Sequence, residues 1–314
     1  MTAVDTAEDP PEATTSRRET SALGAPPTRP RRKRPRLDHV DAMRPVKQGG
    51  VVTTHSLLFF APAGGIGVGA SLLVTHVTRF AFMFISAAML VYAYPELRRG
   101  ALGVFWRRRL LAVALPYVTW TLIYFGMESL PIPGIPEAFR PTGGLVASVP
   151  RSLEHLGVLL VTGYYQLYYL VILLEFYVIY PAFLWLIRRT DGHHRAVFVI
   201  SLALQLALVL LEQTGVVPGW MQGHGAIREL WNYQLYVVAG GIMAWHYQAI
   251  HAWLCRRWRV VVGATLVTFV VAEAWYVVAA THLLGFPGDP SGAFQPAVIP
   301  FFVALIAALY LLGV

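Results

Sequence analysis

Long apolar runs alternate with short polar, mostly basic stretches along almost the whole chain. The runs cover residues 46–63, 70–94, 110–127, 164–187, 196–211, 230–245, 260–280 and 297–314. Most reach the length needed to cross about 30 Å of hydrocarbon as a helix. The predicted fold is therefore all-α, a multi-pass transmembrane helical bundle of about eight spans over residues 41–314. The first span is interrupted by Gly49-Gly50, and Pro116 is expected to kink the third. Residues 61–69 read as a glycine-rich outer loop, and the stretches after the second and sixth spans read as basic loops. The second half of 128–163, LVASVPRSLEHLGVLLV, suits a short interfacial or re-entrant helix.

Residues 1–40 follow another pattern. TAEDPPEATT, ALGAPPTRP and RPRRKRPR hold almost no large apolar side chains, which predicts a disordered tail. No apolar run of signal-peptide type precedes the first span.

Composition agrees with the pattern. Of 314 residues, 56% are hydrophobic and only 13% charged, with mean hydropathy +0.54. A soluble domain carries about 25% charged residues. The formal net charge of +8 comes from arginines at the ends of apolar runs, where they anchor topology and touch anionic lipid rather than nucleic acid. Arg98, Arg99, Arg107, Arg108, Arg109, Arg188, Arg189, Arg195, Arg256, Arg257 and Arg259 fall on one side, against Arg140, Arg151 and Arg228 on the other. That bias predicts a cytoplasmic N-terminus and tail. The single cysteine, Cys255, excludes an intrachain disulfide and a cysteine-based metal site.

Ionisable groups at membrane depth are the candidate chemistry. A lone charge there costs roughly 2.5–3.5 kcal/mol, so such groups face a polar cavity or pair with one another. His55, His76, Arg79, Glu175, Gln205 and Glu273 are the polar residues at that depth. Arg79 with Glu175 or Glu273 makes an expected polar network, equally consistent with an ion pair and with acceptor contacts. His76 reads as a packed polar residue. His193-His194, with only Asp191 nearby in sequence, reads as a solvated turn, so no metal is expected.

Arg44 and His55 stand apart from these. Eleven residues on a helix return to within about 20° of the same face, with an axial offset of about 16 Å. A cation at the membrane mouth thus shares a stripe with a titratable imidazole in the bilayer. Histidine suits the removal of a hydroxyl proton during acyl transfer. Arginine suits the phosphates of an acyl-CoA, whose pantetheine arm is of roughly the length between the two residues. Arg107, Arg108 and Arg109 would assist in holding the donor. Gly49-Gly50 either leaves room for the arm or marks close helix packing.

At this point the chain resembles a family. DAMRPVKQGGVVTTHS is similar to the first helix of the membrane acyltransferase-3 family, with Arg44 and His55 at matching positions. FAFMFISAAMLVY resembles its phenylalanine-rich second segment, with Ser86-Ala87 where the family usually has Ser-Gly. FWRRRLLAVALPYVTW and YYQLYYLVILLEFYVIYP are similar to its third and fourth helices. The resemblance implies a multi-pass protein of the cell inner (plasma) membrane, an O-acyltransferase acting on groups other than aminoacyl. It would move an acyl group, often acetyl, from cytoplasmic acyl-CoA to a hydroxyl of a carbohydrate or other acceptor. It also implies His55 as the base, Arg44 at the donor site, and no permanently bound cofactor. The family has about ten helices, so eight spans ending in an apolar run are expected of an incomplete chain. The competing reading is a transporter or flippase of a glycan or lipid-linked precursor, with Arg79, Glu175 and Glu273 along its path. A single cavity lined by both Arg44 and His55 and open to the cytoplasm would favour the enzyme, and one between spans two, four and seven that avoids span one the transporter. No internal repeat of transporter type is present.

Overall fold

A computed structural model describes residues 38–61, 65–129, 149–214, 228–281 and 290–314. The tail, and most of three long loops, lie outside these residues. The described part is helical throughout: α1 (Asp38–Phe60), α2 (Ile66–Thr75), α3 (Val77–Ala93), α4 (Leu102–Ser129), α5 (Val149–Thr162), α6 (Tyr168–Arg189), α7 (His194–Gln213), α8 (Gln234–Trp245), α9 (Tyr247–Arg256), α10 (Trp258–Ala280) and α11 (Val298–Leu312). Among the described residues, five helical segments are long and apolar enough to cross a membrane: Ile66–Ala93, Leu102–Met127, Tyr165–Arg189, His194–Gln213 and Trp258–Ala280. Of the other three expected spans, the first lies in α1, which is long enough but too polar to count among the five, α11 is apolar but shorter, and the sixth consists of a 3-10 turn at Leu230–Tyr233 followed by α8.

α3 lies at the centre. Phe80, Met83, Ala87, Leu90 and Val91 are almost wholly buried, and Phe80 packs against Tyr233, Tyr236, Phe294 and Phe302. α8 crosses α3 closely because Gly240 has no side chain: a Cβ there would strike the Phe84 carbonyl. Small residues allow such approach where lipid supplies no hydrophobic driving force. α4, α7 and α10 present their apolar side chains outward instead. Leu115, Ile200 and Val267 are each exposed by 64% or more, as lipid-facing positions are in a membrane span.

Tyrosine hydroxyls tie these helices together through carbonyls near helix ends. Tyr180 donates to Leu90 O and Tyr94 O, both at 2.9 Å, closing the end of α3. Tyr117 donates to Leu159 O and Leu160 O at 3.0 and 2.9 Å and fixes α5 on α4. A short helix, expected in the second half of 128–163, is thus present as α5.

Three boundaries differ from the sequence reading. Ile66–Gly69 is helical rather than looped, since Gly69 lies against Tyr276, whose hydroxyl donates to Ile66 O at 3.1 Å. The basic stretch 102–109 is the first two turns of α4, secured by buried Phe105 and by Trp106 Nε1, which donates to Tyr177 O at 3.1 Å. The basic stretch 247–256 is α9, held by Leu254 in the core and by the 2.7 Å hydrogen bond between His251 Nδ1 and the Tyr310 hydroxyl.

Candidate active site

α1 is unbroken from Asp38 to Phe60, through Pro45 and Gly49-Gly50. The helical stripe that carries Arg44 and His55 therefore exists, with an offset of about 16 Å. The two glycines divide their roles. A Cβ on Gly50 would strike the Thr78 methyl on α3, so this glycine allows close packing. Gly49 has open space around it.

The upper part of the stripe borders a cavity of about 330 Å³, lined by Arg44, Lys47 and Gln48 of α1, Phe82, Ser86 and Met89 of α3, Arg109 of α4 and Tyr177 of α6, among others. Three cations converge there. The Lys47 ammonium sits 3.8 Å from the centre of the Phe82 ring, and Arg109 donates to the Tyr94 hydroxyl at 3.3 Å while lying over its ring. Helical spacing explains why only Arg109 of the three consecutive arginines takes part. It lies one turn beyond buried Phe105 on the inward face, whereas Arg107 and Arg108 are exposed.

The lower part reaches His55. Its Nδ1 lies 3.2 Å from the Tyr165 hydroxyl, and the Tyr165 ring packs against both His55 and Phe59. Tyr165 begins a 3-10 turn just before α6 and takes a left-handed φ of 49°, next to Gly163 with φ 74°. A tyrosine in that conformation is strained, and the strain accompanies its position against the imidazole. Within electrostatic reach of His55 lies Arg79. Arg79 Nη2 donates to His76 Nδ1 at 2.9 Å. A guanidinium only donates, so His76 accepts at Nδ1 and any proton of its neutral ring sits on Nε2. His76 is buried and so holds Arg79 in place rather than facing a substrate.

A family model described as an acyltransferase domain matches residues 40–314. The chain belongs to the acyltransferase-3 family. Neither a curated protein nor a solved structure matches it significantly.

In this acyltransferase domain the predicted residues separate into three sets. Arg44 and Arg109 line the cavity, and His55 lies deeper on the same helix with Arg79 nearby. Arg107 and Arg108 point away from the cavity. The expected pairing of Arg79 with Glu175 or Glu273 is not formed: Arg79 is bound to His76, Glu175 is exposed on α6, and Glu273 sits on α10 with a buried Oε1 that has no hydrogen-bond partner. Spacing along single helices carries no information on how α3, α6 and α10 are arranged around each other, which is why the pairing was not decidable from sequence. The solvated reading of His193-His194 holds for exposed His193 only, because His194 is buried. Sequence reasoning missed Lys47, Ser86, Tyr177 and Tyr165. Ser86 lay within the quoted family segment, and the Gly163-Tyr164-Tyr165 break before an apolar run was the available signal for a turn.

Proposed function

We propose that this membrane acyltransferase takes an acyl group, acetyl in the simplest case, from an acyl-CoA on the cytoplasmic side and transfers it to a hydroxyl of a carbohydrate or other acceptor. The observation that carries the proposal is the unbroken α1, which joins a cationic cavity at one end to the His55–Tyr165 pair about two to three turns deeper. Arg44, Lys47 and Arg109 hold the donor phosphates. The pantetheine arm runs along α1 past the open side of Gly49. Tyr165 accepts a hydrogen bond from His55 Nδ1–H, which leaves Nε2 as the basic atom. Nε2 takes the acceptor's hydroxyl proton as that oxygen attacks the thioester carbonyl. Arg79, oriented by His76, stabilises the negative charge on the carbonyl oxygen. The C–S bond then breaks and the proton passes to the departing thiolate.

Of the pair expected to share one cavity, Arg44 lines it and His55 does not; the cavity involves α1 and touches neither Glu175 nor Glu273, which speaks against the transporter path. The deciding assay is transfer of label from acetyl-CoA in membranes carrying the protein, beside the His55→Ala variant. Label should enter a glycan or small-molecule fraction with the parent and fall about 10²–10⁴-fold in the variant. Transfer surviving His55→Ala would remove the proposed base.

A further inference from the structure

The α6–α7 turn and the break between α8 and α9 bring together three side chains that acyl transfer does not use. Asp191, His194 and His246 each offer a ligand atom, and these atoms all lie within 4.8 Å of one another. The sequence hides the cluster because His246 is 52 residues from His194.

The surroundings prepare each atom. His194 is only 5% exposed, and its Nε2 lies 2.8 Å from Ile187 O. A carbonyl only accepts, so Nε2 carries the proton and Nδ1 of the neutral ring presents its lone pair. That Nδ1 faces His246 Nε2 at 2.7 Å. Asp191 Oδ1 accepts from Gly192 N at 3.0 Å and from Trp245 Nε1 at 3.1 Å, which fixes the carboxylate. A carbonyl on the far nitrogen of one histidine and an indole on the carboxylate are the outer contacts that orient metal ligands. Arg188, Arg189 and Arg195 flank the turn but are exposed, so water and salt screen them.

We propose that Asp191, His194 and His246 form a site for a divalent transition metal, with zinc the first choice for two imidazoles and one carboxylate. Two metal–nitrogen bonds of about 2.0–2.1 Å at a tetrahedral angle hold the nitrogens about 3.3 Å apart, so the rings part by roughly half an ångström on binding. Asp191 is exposed, giving the ion its way in and leaving the fourth position to water. The ion ties the α6–α7 turn to the α8–α9 junction, and the alternative occupant is a single proton shared by the two rings.

The test uses the full chain purified in detergent with a histidine-free affinity tag. Zinc content is measured after dialysis against metal-free buffer, and the absorption spectrum after cobalt(II) loading. The parent should retain one equivalent and give the intense visible bands of four-coordinate cobalt. His246→Ala should lose both. Asp191→Asn, whose amide oxygen still accepts from Gly192 and Trp245, should also lose the bound cobalt and so replaces His246→Ala if that variant does not fold. Trp245→Phe should weaken binding about 10–100-fold. Cys255→Ser, which alters the separate Cys255–His251 pair, should change nothing. A parent without bound zinc and without the cobalt bands, or bands that persist in Asp191→Asn, would overturn the site in favour of the shared proton.

Discussion

His55 and Tyr165 are separated by 110 residues yet meet through a 3.2 Å polar contact and a ring contact. If the polar contact sets the imidazole's tautomer, Tyr165→Phe keeps the ring packing and loses the orientation. The turnover number should fall about tenfold, the worth of one hydrogen bond of about 1.4 kcal/mol, with the acyl-CoA KM unchanged. Steady-state kinetics on the purified variant checks both parts. If Arg79 faces the thioester carbonyl as proposed, Arg79→Gln should lower the turnover number about 10²–10³-fold, read in the same assay. At this scale the sequence was half legible. The Arg44–His55 stripe is a property of one helix and follows from 3.6-residue periodicity alone. The Tyr165 contact and the grip of His76 on Arg79 depend on side-chain direction, and the first also on how two distant helices meet.

The two glycines of α1 offer a comparison at the level of the element. Gly50→Ala forces a methyl against Thr78 and should lower the thermal midpoint in detergent, with overpacking worth about 1–3 kcal/mol. Gly49→Ala meets open space and should leave stability unchanged or raised by up to about 1 kcal/mol, the helix propensity of alanine over glycine. α4 carries a second comparison. Arg109→Ala should raise the acyl-CoA KM about tenfold, whereas Arg107→Ala and Arg108→Ala should leave it within about twofold. Substrate saturation curves at fixed ionic strength distinguish the three. Helix existence was legible from apolar runs, and the 230–245 segment falls where the pattern placed it. The starts of α2 and α4 and the whole of α9 were not, because Gly69, Phe105 and Leu254 acquire their partners only in the packed bundle. Propensity and charge read those stretches as loops, and tertiary contact overrides both.

For the molecule as a whole, the distribution of arginines predicts that α9 and the tail share the cytoplasmic side. Cys255, the chain's single thiol, is partly exposed on α9 and makes a natural reporter. A membrane-impermeant maleimide should label it in inverted vesicles and leave it untouched in intact cells. The all-helical membrane architecture was legible from composition, since so few charges cannot cover a soluble surface. The convergence of Asp191, His194 and His246 was not, since it requires two separate junctions to meet.

The unbroken course of α1 has one further bearing on donor choice. A continuous helix is a ruler: the depth of the imidazole below the cationic mouth is fixed in register and cannot adjust to the guest. On the proposed function, phosphates seated at the mouth set how far down the thioester arrives. Acyl carriers with a shortened arm would stop above the imidazole even when tightly held, and would act as occupants of the mouth rather than as substrates.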